Sequence, residues 1–137
     1  MTNPSRVLIL IAAAVPLVSC SNEVAGPSEV VGTAWRLESM ELTGAARFVP
    51  EDPSKFTVEF KADGQLAVKA DCNGCGGPYT LTDGALTSGP LLCTLIACPR
   101  PEGQQFAGII DGTSKVEKNG DDQLEITSSE GKLVLTR

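Results

Sequence analysis

Four cysteines, Cys72, Cys75, Cys93 and Cys98, are spaced as CxxC, then seventeen residues, then CxxxxC. Three chemistries use cysteines in this way. Two pairs at such a distance approximate a zinc ribbon, in which four thiolates close a tetrahedral site. A CxxC alone serves thiol–disulfide exchange when its first cysteine sits at a helix N-terminus, where the dipole stabilises the thiolate. Gly76, Gly77 and Pro78 follow directly and cannot continue a helix. The third chemistry is structural cross-linking, the usual fate of an even number of cysteines in a small exported domain. The compartment therefore decides, and the other end of the chain addresses that question.

Residues 1–19 carry Arg6, then an apolar run from Val7 to Val18, then Ser19 before Cys20. The run is too short for a bilayer core of about 30 Å, which takes roughly 20 apolar residues, and reads as a signal peptide. Leu17-Val18-Ser19-Cys20 resembles a bacterial lipobox. Cys20 is then the expected lipidation site, with cleavage before it and acyl chains holding the protein to a membrane; two or more chains make such attachment stable. Ser21 in place of aspartate points to the outer membrane, facing the periplasm, if the host is diderm. Residues 20–30, with Gly26-Pro27 and no apolar periodicity, read as a lipidated flexible tether, and residues 31–137 as one domain. In that setting structural disulfides are the expected state of Cys72, Cys75, Cys93 and Cys98, and no metal or cofactor is expected.

Composition excludes several functions. The 137 residues include no histidine, so Ser-His-Asp and Cys-His catalysis and HExxH zinc sites are absent. No other catalytic constellation is visible, and the chain is not expected to be an enzyme. A formal charge of −6, without a basic run, repels polyanions and argues against nucleic-acid binding. The pairs Glu51-Asp52 and Asp121-Asp122 lack the spacing of a calcium loop and read as solvated turns.

The elements that must position the cysteines are mostly strands. Val31, Thr33, Trp35 and Leu37 alternate onto one face, as do Phe56, Val58 and Phe60, and Leu66, Val68 and Ala70. Asp63-Gly64, Asp83-Gly84 and Asn119-Gly120 are hairpin turns between such runs, and residues 124–137 form a last hairpin with Gly131 in its turn. One segment has another period. Phe106, Ile109 and Ile110 stand at i, i+3 and i+4 between Pro101 and Gly112, which predicts one short helix. The fold class is mainly β with one helix: seven or eight short antiparallel strands in a small curled sheet or open barrel, the helix plugging an end or packing on a face. Residues 41–55 form a long polar connection with two prolines, the place to expect a partner surface.

Cys72-Asn73 through Gly77 to Tyr79, followed by Thr94 through Ala97-Cys98, resembles the paired motifs of the META domain of the HslJ type. The likeness extends to Trp35 and Leu37, to Phe60 with Asp63-Gly64, to Phe106, and to the closing hairpin from Leu124 to Leu135. Leu95-Ile96 stands where the family usually has a basic residue and Met, and Gly103 where it commonly has Glu. Cys75 and Cys93 are additions. The resemblance implies a Cys72–Cys98 bridge with Cys75–Cys93 nested inside it, although four cysteines allow three pairings. It also implies an envelope or stress-related role without a settled ligand. Asn73 reads as a turn residue, and Tyr79 and Trp35 as core aromatics. The leading expectation is a lipid-anchored, non-catalytic binding or structural protein; the rival is a secreted, disulfide-braced ligand-binding or inhibitor module.

Overall fold

A computed structural model describes Ala14 and residues 23–137. The expected signal peptide and the expected lipidation site, Cys20, lie outside the described residues, Ala14 apart. The strands are β1 (Glu23–Val24), β2 (Ala34–Leu42), β3 (Phe56–Phe60), β4 (Gln65–Ala70), β5 (Asn73–Thr82), β6 (Ala85–Ser88), β7 (Leu92–Cys93), β8 (Gly112–Asn119), β9 (Gln123–Thr127) and β10 (Gly131–Thr136). Two helices, α1 (Pro27–Val30) and α2 (Glu102–Ile110), and a 3₁₀ turn at Pro53–Lys55 complete the description.

Hydrogen bonding runs β8-β6-β5-β4-β3-β2-β10-β9 and returns from β9 to β8, all antiparallel. Eight strands thus close into a barrel, and closure removes the free edges that an open sheet of this size would expose. The alternation read from the sequence becomes its interior. Phe56, Val58 and Phe60, then Leu66, Val68 and Ala70, point inward and are buried. Trp35, Leu37, Phe60, Leu124, Ile126, Leu133 and Leu135 fill the middle at 0% exposure. The indole N–H of Trp35 donates to the Val30 carbonyl at 3.2 Å, so the ring is buried without an unsatisfied donor.

Strict alternation fails in β2. Val134 pairs with Ser39 but Leu135 pairs with Leu37, so Glu38 is an extra residue. This bulge shifts the phase of the strand, and Met40 is buried as Leu37 is, although the two stand an odd number of positions apart. Gly131 also departs from expectation. It opens β10 instead of forming the turn, and a side chain there would collide with the Glu41 carbonyl of β2. Close strand approach, not turn geometry, requires that glycine.

Both long connections fall at one end of the barrel. At the hairpin end lie the tight turns at Asp63-Gly64, Asp83-Gly84 and Gly120, with positive φ at Gly64, Asp83, Gly84 and Gly120. At the other end, the loop end, lie the two long connections, residues 43–55 and 89–111. Helix α2 belongs to the second and packs across that end, burying Phe106, Ala107, Ile109 and Ile110. The helix ends one residue before the glycine that the sequence suggests as its cap: Asp111, already extended, is the C-cap and donates its N–H to the Ala107 carbonyl, while Gly112, with a φ of +93°, opens β8.

Residues 23–30 are not a free tether. β1 pairs with β8, Ala25 and Val30 are fully buried, and Val31 bridges to Phe60 on the far wall. The segment crosses the hairpin end as a cover. Glu29 accepts from the Gly26 N–H at 2.7 Å and faces Lys118 at 3.7 Å. Composition hid this docking because only two of the residues, Ala25 and Val30, carry the burial.

Candidate functional site

The chemistry-bearing residues converge at the loop end. Cys72 is bonded to Cys98 and Cys75 to Cys93, so the bridges are nested. Cys75 lies in β5, directly opposite Cys93 of β7, and Cys72 lies in the turn before β5. Neither cysteine of the CxxC is at a helix N-terminus, and the pairing leaves none of the four thiols free to ligate zinc.

Asn73 holds the loop between the bridges. Its Oδ1 accepts from the Ile96 N–H at 2.8 Å and from the Thr94 hydroxyl at 2.8 Å, while its Nδ2 donates to the Ile96 carbonyl at 2.9 Å. The side-chain amide thus pairs with a backbone amide as a strand would. Thr94 completes the frame: its hydroxyl accepts from the Gly74 N–H at 3.1 Å and its own N–H donates to the Gly74 carbonyl at 2.9 Å. Asn73 is therefore a clamp and not the turn residue expected; the positive φ of that turn, 60°, falls on Asp71. Asn73→Ala removes three of these bonds, at about 1 kcal/mol net each, and loosens residues 94–97 without unfolding the barrel. Amide exchange at Ile96 should accelerate by at least about tenfold while Val58 and Leu135 keep their protection.

Two glycines let backbones close on this site. A side chain at Gly77 would meet the Pro90 carbonyl at 2.9 Å, and one at Gly103 would meet the Ala70 carbonyl at 2.5 Å. Gly103 therefore seats α2 directly on the end of β4. A chain of rings extends the packing outward, with Phe106 on Phe56 and Phe56 on Phe48, each edge-to-face with centroids 5.7 Å apart.

The surface that results has two parts. Between residues 47–55 and 99–102 lies a cleft of about 520 Å³, with Arg47, Lys55 and Arg100 facing Glu51, Asp71 and Glu102 over an apolar floor of Phe48 and Phe56. Beside it, between residues 93–97 and α2, is a slot of about 230 Å³ floored by Ala70, Gly103 and Ala107. Leu95 is 98% exposed, Leu92 79% and Ile96 59%, all on the cross-linked loop. Asp52 caps the 3₁₀ turn: Ser54 donates through its hydroxyl at 2.6 Å and its N–H at 3.0 Å, which holds the carboxyl below its ordinary value. Asp121 lies 3.5 Å from Lys118 at the opposite end. Among the described residues, no group of three or more Cys, Asp or Glu is placed to hold a metal ion.

The family model of the META domain matches residues 28–137. The chain belongs to the META domain family. No curated protein matches its sequence. An NMR structure of a protein from Burkholderia xenovorans superposes with a TM-score of 0.64 at 19% identity, over 94% of this chain and 98% of the other. A crystal structure of a lipocalin-like protein from Bacteroides uniformis gives 0.54 at 15%, over 80% and 98%. A third, of an uncharacterized protein from Bacteroides eggerthii, gives 0.52 at 19%, over 79% and 98%. At these identities the likeness is one of fold.

Within this META domain the motif residues take distinct parts. Asn73 and Thr94 form the clamp, Gly77 admits Pro90, and Ala97 precedes Cys98 on the exposed loop. Tyr79 faces the opposite direction. Its ring packs edge-to-face on Phe60 at 5.3 Å and its hydroxyl donates to the Lys61 carbonyl at 2.8 Å, near the hairpin end. It supports the barrel and takes no part in the loop-end surface. Burial, and then the charge of Asp63, raise its phenol above the ordinary value. Because the neutral form is the one the fold favours, this stabilisation is complete below about pH 10 and is lost as pH rises through the folded pKa. The chain has one tyrosine, so phenolate absorbance reads Tyr79 alone. The titration midpoint should lie above that of the urea-unfolded chain.

Sequence reasoning did not find Phe48, Arg47 or Arg100 individually. The first gave no periodic signal inside its loop, and the two arginines line one cleft although 53 positions separate them in sequence.

Proposed function

We propose that this META domain is a lipid-anchored protein of the bacterial cell envelope that acts by binding, not catalysis, through its loop end. The observation that carries this reading is the set of exposed aliphatic side chains, Leu92, Leu95 and Ile96, on a loop held by two disulfides and the Asn73 clamp. Exposed apolar residues on an ordered loop beside a cleft mark an interaction surface, because a fixed loop loses little entropy when a partner covers it. The interior offers no comparable room; Trp35, Phe60, Phe106 and their neighbours occupy it. The charged walls of the adjacent cleft supply orientation for a protein or small-molecule partner. Support for the anchor comes from the sequence at Leu17–Cys20. Among the described residues no helix is long and apolar enough to cross a membrane, so in this reading acyl chains on Cys20 make the attachment. The alternative, a secreted ligand-binding or inhibitor module, uses the same surface without the acyl chains.

The test uses the full chain with a photo-cross-linking residue at Val49, which is 61% exposed beside the cleft. The unsubstituted protein should fractionate with membranes and yield a discrete adduct. Leu95→Asp/Ile96→Asp should stay folded and membrane-bound but lose at least about tenfold in adduct, about 1.4 kcal/mol of binding. Cys20→Ala should leave the membrane fraction with adduct formation intact. Equal adduct yield from the Leu95/Ile96 variant would remove the loop end as the binding surface; recovery of the unsubstituted protein free in the medium would favour the secreted module.

A further inference from the structure

We infer that the barrel stands end-on at the membrane, its hairpin end against the lipid headgroups and its cross-linked loop end facing away. The inference rests on the reading of Cys20 as the acylated residue. β8 runs from the loop end toward the hairpin end, and β1 pairs with it antiparallel, Glu23 opposite Lys118 and Val24 opposite Glu117. The N-terminal side of β1 therefore points out of the hairpin end.

From Cys20 to Glu23 there are three peptide steps. At 3.8 Å between successive Cα atoms they span at most about 11 Å, so the acylated residue cannot lie far from that end. Nor is slack available further along. The Ala25 N–H donates to the Val116 carbonyl at 3.3 Å, Gly32 N–H donates to the Phe60 carbonyl at 3.0 Å, and Ala25 and Val30 are fully buried between these points. Peeling this segment would expose the hairpin end of the core.

The surface so presented suits a headgroup layer and not the hydrocarbon beneath it. Asp63, Asp83, Asp121 and Asp122 stand at its turns, with Lys61 and Arg137 among them. Carboxylates remain in the wet interfacial zone, and the acyl chains alone supply attachment. The ten residues of β5 run between the two ends. At 3.3 Å per residue and a tilt of 35–45°, they place the loop end about 25 Å farther from the bilayer. Leu92, Leu95 and Ile96 are thereby kept from the leaflet that anchors the protein, and the partner they serve is met in the aqueous phase.

The experiment places the acylated full chain, its lipid verified by mass, in phosphatidylcholine nanodiscs containing a gadolinium-chelate headgroup lipid, and reads amide relaxation enhancement. Gly64, Gly84 and Gly120 should be enhanced at least about tenfold more than Gly44, Leu95 and Ile96, given the separation of about 25 Å. Acylated protein with equal enhancement at both ends, or the greater at Leu95, overturns the orientation and leaves the anchor standing. A mass without acyl chains overturns the anchoring itself, and with it this inference.

Discussion

Replacing all four paired cysteines by alanine lowers the thermal midpoint by about 15 °C while the β-sheet signal in the far ultraviolet persists at room temperature. The outer bridge, Cys72–Cys98, closes a separation of 26 residues, and the inner one, Cys75–Cys93, closes 18 inside it. In the chain-entropy model a loop of that length contributes about 3 kcal/mol, and the nested bridge adds less because its ends are already held near each other, for about 4 kcal/mol in all. Each kcal/mol shifts the midpoint by about 4 °C in a domain of this size. The eight barrel strands survive because their closure runs through β8–β9 and β10–β2, which contain none of the four cysteines. The loss should be local as well as global, with amide exchange at residues 92–98 approaching that of an unfolded chain. Calorimetry of the oxidised, reduced and four-alanine proteins, with exchange on each, measures both effects. A midpoint unchanged by reduction would show that the bridges do not brace the fold.

Phe106→Ala should cost about 3–5 kcal/mol, the range for an aromatic side chain removed from a core. Phe106 is fully buried and is the first of three stacked rings, so its loss opens a void between α2 and β3 and leaves Phe56 with Phe48 as its one edge-to-face partner. Phe106→Leu, which keeps most of the volume, should cost about 1–2 kcal/mol. The cost should appear in urea unfolding followed by fluorescence of the single tryptophan, Trp35, which lies in the barrel away from the substitution. Because Phe48 and Phe56 line the charged cleft, Phe106→Ala should also weaken cross-linking from Val49 under conditions where the protein is still folded. A variant as stable as the parent would mean that α2 is an ornament on the barrel and not its plug.

The barrel was legible because its rules are local. Val58, Val68 and Ile126 announce inward faces by alternation, and Asp83-Gly84 announces a turn in which both residues take positive φ. Helix α2 was legible for the same reason, from Phe106, Ile109 and Ile110. What stayed hidden depends on partners distant in sequence. Ala25 and Val30 look like tether residues until β8 and β3 lie beside them. The phase shift at Glu38 follows from the register of β2 against β10, which leaves Glu38 without a partner, and Gly131 is small because β2 passes close by. At the candidate site, the cysteines and Asn73 were visible as types, and the family resemblance implied the pairing that the structure has. The clamp on Ile96 was not visible, since a side chain that pairs with a backbone 23 residues away leaves no periodic trace.

The most direct test of an anchored, disulfide-braced binding domain is the intact mass of the protein purified from membranes, measured in native and denaturing conditions, with and without reductant. Acyl chains on Cys20 and a deficit of four hydrogens restored by reductant, matching the two bridges, are the expected result. Four free thiols holding a zinc ion that is lost on denaturation, on a chain without lipid, would contradict both the bracing and the anchor.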